Sequence, residues 1–146
     1  MATIKYFEEI EAWKKARMVA QEIYELSLQG TFGKDFSLKD QINAAAGSVM
    51  DNIAEGFERV GMKEFIQFLS YAKGSAGEVR SQLYRATDRK HITTVQFDNL
   101  NDHILQTSKM IAGLMTYLRG SSYKGPKYLN EPEANYEIKI PDTPML

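Results

Sequence analysis

The side chains of this chain that could do chemistry are carboxylates and two histidines, since it contains no cysteine. Glu55 and Glu78 form the carboxylate pair that comes nearest to acid–base hydrolysis. If residues 38–89 form an antiparallel helix pair, Glu55 lies opposite about Ile66, which is about 18 Å along the axis from Glu78. Hydrolysis by two carboxylates requires a separation of about 5 to 9.5 Å. The pair therefore does not predict an enzyme, unless a pocket forms between subunits.

The histidines do not have the spacing of a metal centre. A di-iron site in a helical bundle uses two Glu-x-x-His motifs and two further glutamates. This chain has only His91 and His103, and the nearest match to the motif is Asp88-x-x-His91. No serine, histidine and acid are grouped near residues 38–82 for nucleophilic catalysis, and no glycine-rich phosphate loop is present. The sequence therefore predicts no catalytic residue, no metal and no cofactor.

Length and composition favour a single soluble domain. A chain of 146 residues with a net charge of −1 can bury a core without disulfides. The lack of cysteine fits a reducing cytoplasm. No run approaches the roughly 18 to 20 apolar residues that span a bilayer, and residues 1–5 do not resemble a signal peptide. We therefore expect a cytoplasmic protein with no membrane partner.

Positive charge is concentrated between residues 61 and 90, where six cations outnumber three carboxylates. Clustered Lys and Arg bind nucleic acids by neutralising phosphates. The candidate nucleic-acid contacts are Lys73, Arg80, Arg85 and Arg89. On a helical wheel, Lys73 and Arg80 lie on one flank of a helix and the other two arginines lie on the opposite flank. Two small pairs are more typical of a solvated surface, although symmetry in an oligomer would multiply them.

Four helices are predicted from the spacing of apolar residues. All four prolines come after residue 125, so none interrupts a helix before that point. Apolar residues recur at intervals of three and four, which is the period of one helical face. The predicted helices run from about Phe7 to Leu28, from Ser37 to a break at Val60-Gly61, from about Met62 to Arg89, and from Thr93 to Gly120.

The helix starts and apolar stripes together predict an all-α, up-down-up-down antiparallel four-helix bundle over residues 1–120. Ser37 and Asp40 have the spacing of a capping box, as do Thr93 and Gln96. The apolar positions are Ile10, Trp13, Ala16, Ala20 and Ile23 in the first helix; Leu38, Ile42, Ala45, Ala46, Val49, Ile53 and Phe57 in the second; Phe65, Phe68, Leu69, Ala72, Ala76, Val79, Leu83 and Ala86 in the third; and Phe97, Leu100, Ile104, Ile111, Leu114 and Leu118 in the fourth.

Glycines inside the predicted helices require a physical cause. Gly47, Gly74, Gly77 and Gly113 each cost about 0.5 to 1 kcal/mol relative to alanine in a helix interior. Close packing of two helix backbones is the expected reason. A ligand cradle at residues 74–77 is the alternative, but it lacks the helix N-terminus that would hold a phosphate.

A stripe of polar residues runs beside the apolar stripe on the second and third helices. If the helices are antiparallel, Asn52 lies near Gln67 to Tyr71, and Gln41 lies near Ser75 to Gln82. The two stripes then form a buried or intersubunit hydrogen-bonded seam, or else a solvated face. The stripe residues are Gln41, Ser48, Asn52, Glu55 and Arg59, followed by Glu64, Gln67, Tyr71, Ser75, Glu78, Gln82, Arg85 and Arg89.

Residues 121–146 differ from the bundle because they contain every proline. We expect an irregular tail. The pattern Tyr136, Ile138 and Ile140, which alternates with polar residues, is strand-like. An arm that docks on a neighbouring subunit is the alternative, supported by Tyr123, Tyr128, Tyr136 and Met145-Leu146.

The chain resembles the four-helix bundle proteins encoded in 23S ribosomal RNA intervening sequences, over about residues 7 to 119. Its N-terminal segment Phe7-Glu8-x-Ile10-x-x-Trp13-x-x-Ala16 is similar to the family signature. Similar accessory variability determinant proteins of diversity-generating retroelements act beside a reverse transcriptase. The other matching positions are Gln41-Ile42, Ser48, Asn52-Ile53-Ala54-Glu55-Gly56-Phe57, Arg59, Glu64-Phe65, Phe68-Leu69, Ala72, Gly74-Ser75 and Glu78.

The resemblance implies a bundle that assembles into a pentameric ring, with a nucleic acid or a nucleic-acid enzyme as partner. Gly61 stands where the family pattern has a serine cap, so that only Glu64 of that capping box remains. The retroelement proteins are strongly basic, whereas this chain is nearly neutral.

We interpret the chain as a non-enzymatic, homo-oligomeric scaffold or adaptor. The alternative is an RNA- or DNA-binding accessory protein that acts with an enzyme such as a reverse transcriptase. The residues expected to serve the family motif and assembly are Trp13, Gln41, Ser48, Asn52, Glu55, Gly56, Arg59, Ser75 and Glu78.

Overall fold

The computed structural model describes residues 3–121 and 129–130, which form an up-down-up-down four-helix bundle. Each helix packs on the next, and α4 also packs on α1. The predicted all-α class is confirmed. The elements are β1 Thr3–Ile4, α1 Glu11–Ser27, α2 Phe36–Glu58, α3 Met62–Asp88, α4 Thr94–Arg119 and β2 Leu129–Asn130, with short 3-10 turns at Phe7–Glu9 and Phe32–Lys34.

The core lies between the apolar stripes of the four helices. All the apolar positions predicted for α2 are buried, and the Phe57 ring meets the Phe65 ring of α3 edge-on at 5.9 Å. The stripe of α1 is rotated from the predicted one, because Ala12 and Val19 are buried whereas Trp13 is only partly buried. No helix within the described residues is both long and apolar enough to cross a membrane.

The helix α1 begins at Glu11, so the predicted start at Phe7 is wrong. The carboxylate of Glu9 accepts hydrogen bonds from the backbone N–H groups of Lys5 (2.7 Å) and Tyr6 (3.2 Å). These bonds close a separate 3-10 turn, after which Ile10 is extended. The apolar spacing continues across this break, and therefore periodicity alone did not detect it.

The helix α2 begins at Phe36, and its cap is Asp35, not the predicted pair of Ser37 and Asp40. The Asp35 carboxylate accepts from the backbone N–H of Leu38 at 3.3 Å. Ser37 instead accepts from the Gln41 side chain within the first turns.

The predicted capping box at the start of α4 is confirmed. Thr93 Oγ1 accepts from the Gln96 backbone at 3.1 Å, and Gln96 Oε1 accepts from the Thr93 backbone at 2.9 Å. The helix ends at Arg119 with Gly120 as its C-cap, within one residue of the predicted end.

The turn between α2 and α3 explains the glycine at position 61. Gly61 has a φ of 114°, a conformation in which side chains are strained. A serine cap would suffer that strain here. The helix α3 consequently starts without a side-chain cap.

Part of the predicted tail pairs with the N-terminal segment. Ile4 pairs with Leu129 and Thr3 pairs with Asn130, in an antiparallel two-stranded ribbon. The side chains of Ile4 and Leu129 are buried in the core. The proposed strand at residues 136–140 and the aromatic and apolar residues of the proposed arm lie outside the described residues.

Close helix packing occurs at Gly56 and not at three of the helix-interior glycines for which it was expected. A Cβ at Gly56 would lie 2.6 Å from Phe68 Cβ and 3.2 Å from Phe65 Cδ1. At Gly47, Gly74 and Gly77 it would meet nothing within 4 Å. The packing explanation is therefore wrong for those three positions within this chain.

We predict that Gly56→Ala lowers the free energy of unfolding by about 1 to 3 kcal/mol, because the added methyl overpacks the α2–α3 contact. Gly47→Ala in the same helix is the matched control, and it should raise stability by about 0.5 to 1 kcal/mol through helix propensity. Urea unfolding measures both values. An equal gain of stability in the two variants would contradict the close approach.

Candidate functional site

Polar side chains of α2 and α3 meet along a surface that we name the polar seam. The structure brings Ser48 and Ser75 together, with Ser75 Oγ donating to Ser48 Oγ at 3.0 Å. Asn52 Nδ2 donates to Ser48 Oγ at 2.9 Å and to the Ser48 carbonyl at 2.8 Å. All three residues are half-buried. The polar seam consists of Gln41, Ser48, Asn52 and Glu55 of α2, the cap residue Arg59 that follows α2, and Gln67, Tyr71, Ser75, Glu78, Gln82 and Arg85 of α3.

The Ser48–Ser75 contact gives the predicted register, with Asn52 opposite Tyr71 and Gln41 opposite Gln82, but the hydrogen bonds of these side chains differ from that simple pairing. Arg85 Nη1 donates to Gln41 Oε1 at 3.2 Å, beyond the expected range that ended at Gln82. The length of the arginine side chain allows this contact from a position further along α3. Gln67 donates to the Tyr71 hydroxyl at 2.7 Å within α3, and Asn52 reaches Ser48 instead.

Most of the seam is open to solvent, so it is not a buried network within one chain. The side chains of Gln41, Glu55, Arg59 and Glu78 are exposed. Gln82 is the exception, with only 3% exposure. Its Nε2 donates to Glu78 Oε1 at 3.2 Å, while its Oε1 is buried and has no partner among the described residues.

An aromatic and charged cluster occupies the seam near the α2–α3 turn. Arg59 Nη2 lies 3.1 Å from Glu55 Oε1, and its guanidinium lies over the Phe68 ring at 5.2 Å. The Phe68 and Tyr71 rings meet edge-on at 5.7 Å. Such exposed ion pairs add little stability, but they hold the side chains in one arrangement.

Trp13 does not belong to the polar seam. It lies at the start of α1, where its ring meets the Phe7 ring edge-on at 5.2 Å and the Arg17 guanidinium at 5.6 Å. Gly56 lies beneath the seam, where its close approach to Phe68 sets the separation of α2 and α3.

The four candidate nucleic-acid contacts do not form one basic surface. Arg80 Nε donates to Asn101 Oδ1 of α4 at 3.1 Å, and Arg85 donates to Gln41. Arg89 forms an ion pair with Asp35 at 2.9 Å. Lys73 is exposed. Three of the four cations therefore hold parts of the bundle together.

The structure also contains a polar cluster that sequence reasoning missed, which joins the α1–α2 and α3–α4 connections. His91 Nε2 lies 2.8 Å from Asp35 Oδ2, and His91 Nδ1 lies 2.8 Å from Thr31 Oγ1. The imidazole stacks on the Phe32 ring at 5.2 Å. An Asp directly before an apolar stripe is a cap signal, and it could have identified Asp35 as the cap of α2, although not its contact with His91.

The hydrogen bond from His91, followed by that from Arg89, lowers the pKa of Asp35 to about 2. Thr31, His91 and Asp35 have the order of a hydroxyl, an imidazole and a carboxylate. The carboxylate, however, already accepts from Arg89 and from the α2 N-terminus. The cluster thus ties two connections together.

A small cavity of about 210 Å³ lies between α1 and α4. It is lined by Glu22, Glu25, Leu26, Gln29, Gln96, Asn99 and Leu100, none of which belongs to the seam or to the Asp35 cluster. Within residues 3–121 and 129–130, no group of three or more histidine, aspartate or glutamate side chains could hold a metal ion.

Comparison with known proteins identifies a family and a similar fold. The family model described as 23S rRNA-intervening sequence protein matches residues 8–113. A crystal structure from Bacteroides thetaiotaomicron, of a protein of unknown function from the S23 ribosomal protein family, is similar with a TM-score of 0.66. It is 22% identical, and the match covers 71% of this chain and 97% of that one. No curated protein matches the chain.

We predict that Ser48 and Ser75 are energetically coupled. Ser75→Ala should lower the free energy of unfolding by about 0.5 to 1.5 kcal/mol through loss of the cross-helix hydrogen bond. A double-mutant cycle with Ser48→Ala cancels the change in helix propensity and isolates the pair. Additive effects of the two substitutions would contradict coupling across the seam.

We also predict that Asp35 makes stability depend on pH in the acid range. A lowered pKa stabilises the fold above pH 3.8, and this contribution is lost as the pH falls through about 2. Urea unfolding between pH 5 and pH 2 should therefore have a shallower pH dependence for Asp35→Asn than for the unmodified chain. Asp51→Asn controls for the loss of one charge, and identical profiles for Asp35→Asn and the unmodified chain would refute the prediction.

Proposed function

We propose that this chain, which belongs to the 23S rRNA-intervening sequence protein family, is a non-enzymatic scaffold that assembles with copies of itself through the polar seam. The observation that carries the proposal is that the seam is ordered but uncovered. Ser48, Asn52 and Ser75 are fixed by mutual hydrogen bonds, yet the surface around them is open to solvent. A surface that is already ordered loses little entropy on binding.

The composition of the seam also favours a protein partner. Tyr71 is 49% exposed beside the half-buried Phe68 ring, and Arg59 lies over that ring. Tyrosine and arginine are enriched among the residues that dominate binding energy at protein interfaces. The seam presents both next to small side chains at Ser48 and Ser75, which leave room for a close partner.

A pentameric ring is the assembly that the family resemblance implies. In such a ring each contact is heterologous, so that the seam of one copy meets a different surface of the next. In a closed ring, the polar seam of every copy would be covered by the next copy. We propose this state for the chain, with the interior of the ring as the place where further partners bind.

Nucleic-acid binding is less well supported than self-assembly. Arg80, Arg85 and Arg89 each have a hydrogen-bond partner within the chain. A phosphate would have to compete with these partners. The charge of −1 adds no general attraction to nucleic acid.

The role of the seam is tested by Tyr71→Arg, with Tyr24→Arg as a control of almost equal exposure on α1 (49% and 50%). We expect Tyr71→Arg to weaken assembly by about 30-fold or more, as for loss of a dominant interface residue. Tyr24→Arg should leave assembly unchanged. Sedimentation equilibrium over a range of protein concentrations measures both.

Asn52→Leu provides a second test, because it removes the donor that orders Ser48. It should change the oligomer or its stability, whereas Asp51→Leu places the same side chain on α2 outside the seam. If Tyr71→Arg and Asn52→Leu both retain the mass and stability of the unmodified chain, the seam is not the contact surface.

A further inference from the structure

The outer face of α3 lies beside the polar seam, shares only Gln67 with it and has a regular spacing. The positions on this face follow alternating intervals of four and three residues and are all exposed: Lys63, Gln67, Ser70, Gly74, Gly77, Ser81, Tyr84 and Asp88. Alternating intervals of four and three average 3.5 residues, which is the repeat that keeps one helix face against a second helix. This repeat runs along nearly the whole of α3 on the side that no helix of the chain covers.

The glycines on this face have no explanation within the chain. Gly74 and Gly77 are exposed in the middle of a helix, and a Cβ at either would meet nothing within 4 Å. Each glycine destabilises the helix relative to alanine. They leave the backbone of α3 open to an approaching helix at this point, with Ser70 and Ser81 as the next positions on either side.

The four central positions of the face are palindromic about the middle of α3, whereas the next pair outward, Gln67 and Tyr84, is not identical. The midpoint of the face lies between Ser75 and Ala76, and Gly74 and Gly77 stand at equal distances from it. Ser70 and Ser81 form the next symmetric pair. An antiparallel two-fold contact places each residue against its symmetric counterpart in the other copy, so that glycine would meet glycine and serine would meet serine.

The ends of the face are complementary in charge. Lys63 and Asp88 are equidistant from the midpoint, and both are exposed. In an antiparallel pair of α3 helices, Lys63 of each copy faces Asp88 of the other, which gives two ion pairs. A parallel pair would instead bring lysine against lysine and aspartate against aspartate.

We infer that the outer face of α3 binds the same face of a second copy of this chain, as an antiparallel helix pair with two-fold symmetry. This contact goes beyond the ring proposed above, since its surface shares only Gln67 with the seam and it closes with two copies. Alone it gives a dimer, and together with a ring it joins two rings.

The absence of cysteine allows a direct test by cross-linking. A chain carrying only Ser70→Cys and a chain carrying only Ser81→Cys are co-expressed and oxidised. The covalent dimer is then measured on a denaturing gel. The inferred contact brings residue 70 of one copy to residue 81 of the other. The two copies of residue 70 are about 16 Å apart along the axis, beyond the reach of a disulfide. We therefore expect a disulfide in the mixture and none with either variant alone.

The outcomes separate this inference from the proposed function. A disulfide with each variant alone would overturn the antiparallel arrangement. If the mixture forms no disulfide while Tyr71→Arg still weakens assembly, the α3 contact is overturned and the seam proposal stands. A disulfide in the mixture, in a dimer insensitive to Tyr71→Arg, would support the α3 contact and contradict the seam. Ser81→Cys with Gln106→Cys on the exposed surface of α4 controls for random collisions.

Charge reversal gives an independent readout. Lys63→Asp alone or Asp88→Lys alone removes both ion pairs, and should weaken the two-fold contact by about 2- to 30-fold. The double variant restores opposite charges and should recover the original affinity. Failure of the double variant to recover, with the single variants weakened, would contradict pairing of these two residues.

Discussion

The architecture of this protein depends on the close approach of α2 and α3 at Gly56. No side chain fits there, because Phe68 Cβ would lie 2.6 Å from a Cβ at this position. The approach lets the Phe57 and Phe65 rings meet in the core. It also allows the hydroxyls of Ser48 and Ser75 to form a direct hydrogen bond further along the same helices. The separation of α2 and α3 is thus set near Gly56 and maintained by polar contacts further along the two helices.

The remaining register is fixed where connections between helices meet. Asp35 caps α2 and accepts from both Arg89 and His91 at the far end of α3. One carboxylate thereby aligns the start of α2 with the end of α3. Apolar packing alone is less specific, because similar side chains can slide past one another, whereas hydrogen bonds have defined lengths and directions.

The sequence predicted the helices better than the contacts between them. Apolar periodicity located all four, and the cap of α4 followed from Thr93 and Gln96, which are close in the chain. The bond from His91 to Asp35 spans 56 residues, and no local pattern marks it. The break before α1 was missed because apolar spacing is continuous through it. Likewise, the difference between Gly56 and Gly74 depends on the neighbouring helix, which only the folded chain supplies.

The surface of the α2–α3 pair suggests why the bundle would assemble. The seam is ordered without being covered, and the outer face of α3 is regular without having a partner in the chain. The order of the seam and the regular spacing of the outer face are both explained if copies of the chain bind one another through these two surfaces. In that case the apolar core supplies the stability of each subunit, and the polar and small residues outside it determine how subunits meet.

The most direct test of self-assembly is the mass of the unmodified chain in solution, measured by light scattering at low and high salt. Self-assembly predicts a mass several times the 16.6 kDa of one chain, and five times that value for a single ring. Because ordered hydrogen bonds and close packing are screened less than surface charges, this mass should persist at high salt. A mass of 16.6 kDa at both salt concentrations would contradict the account.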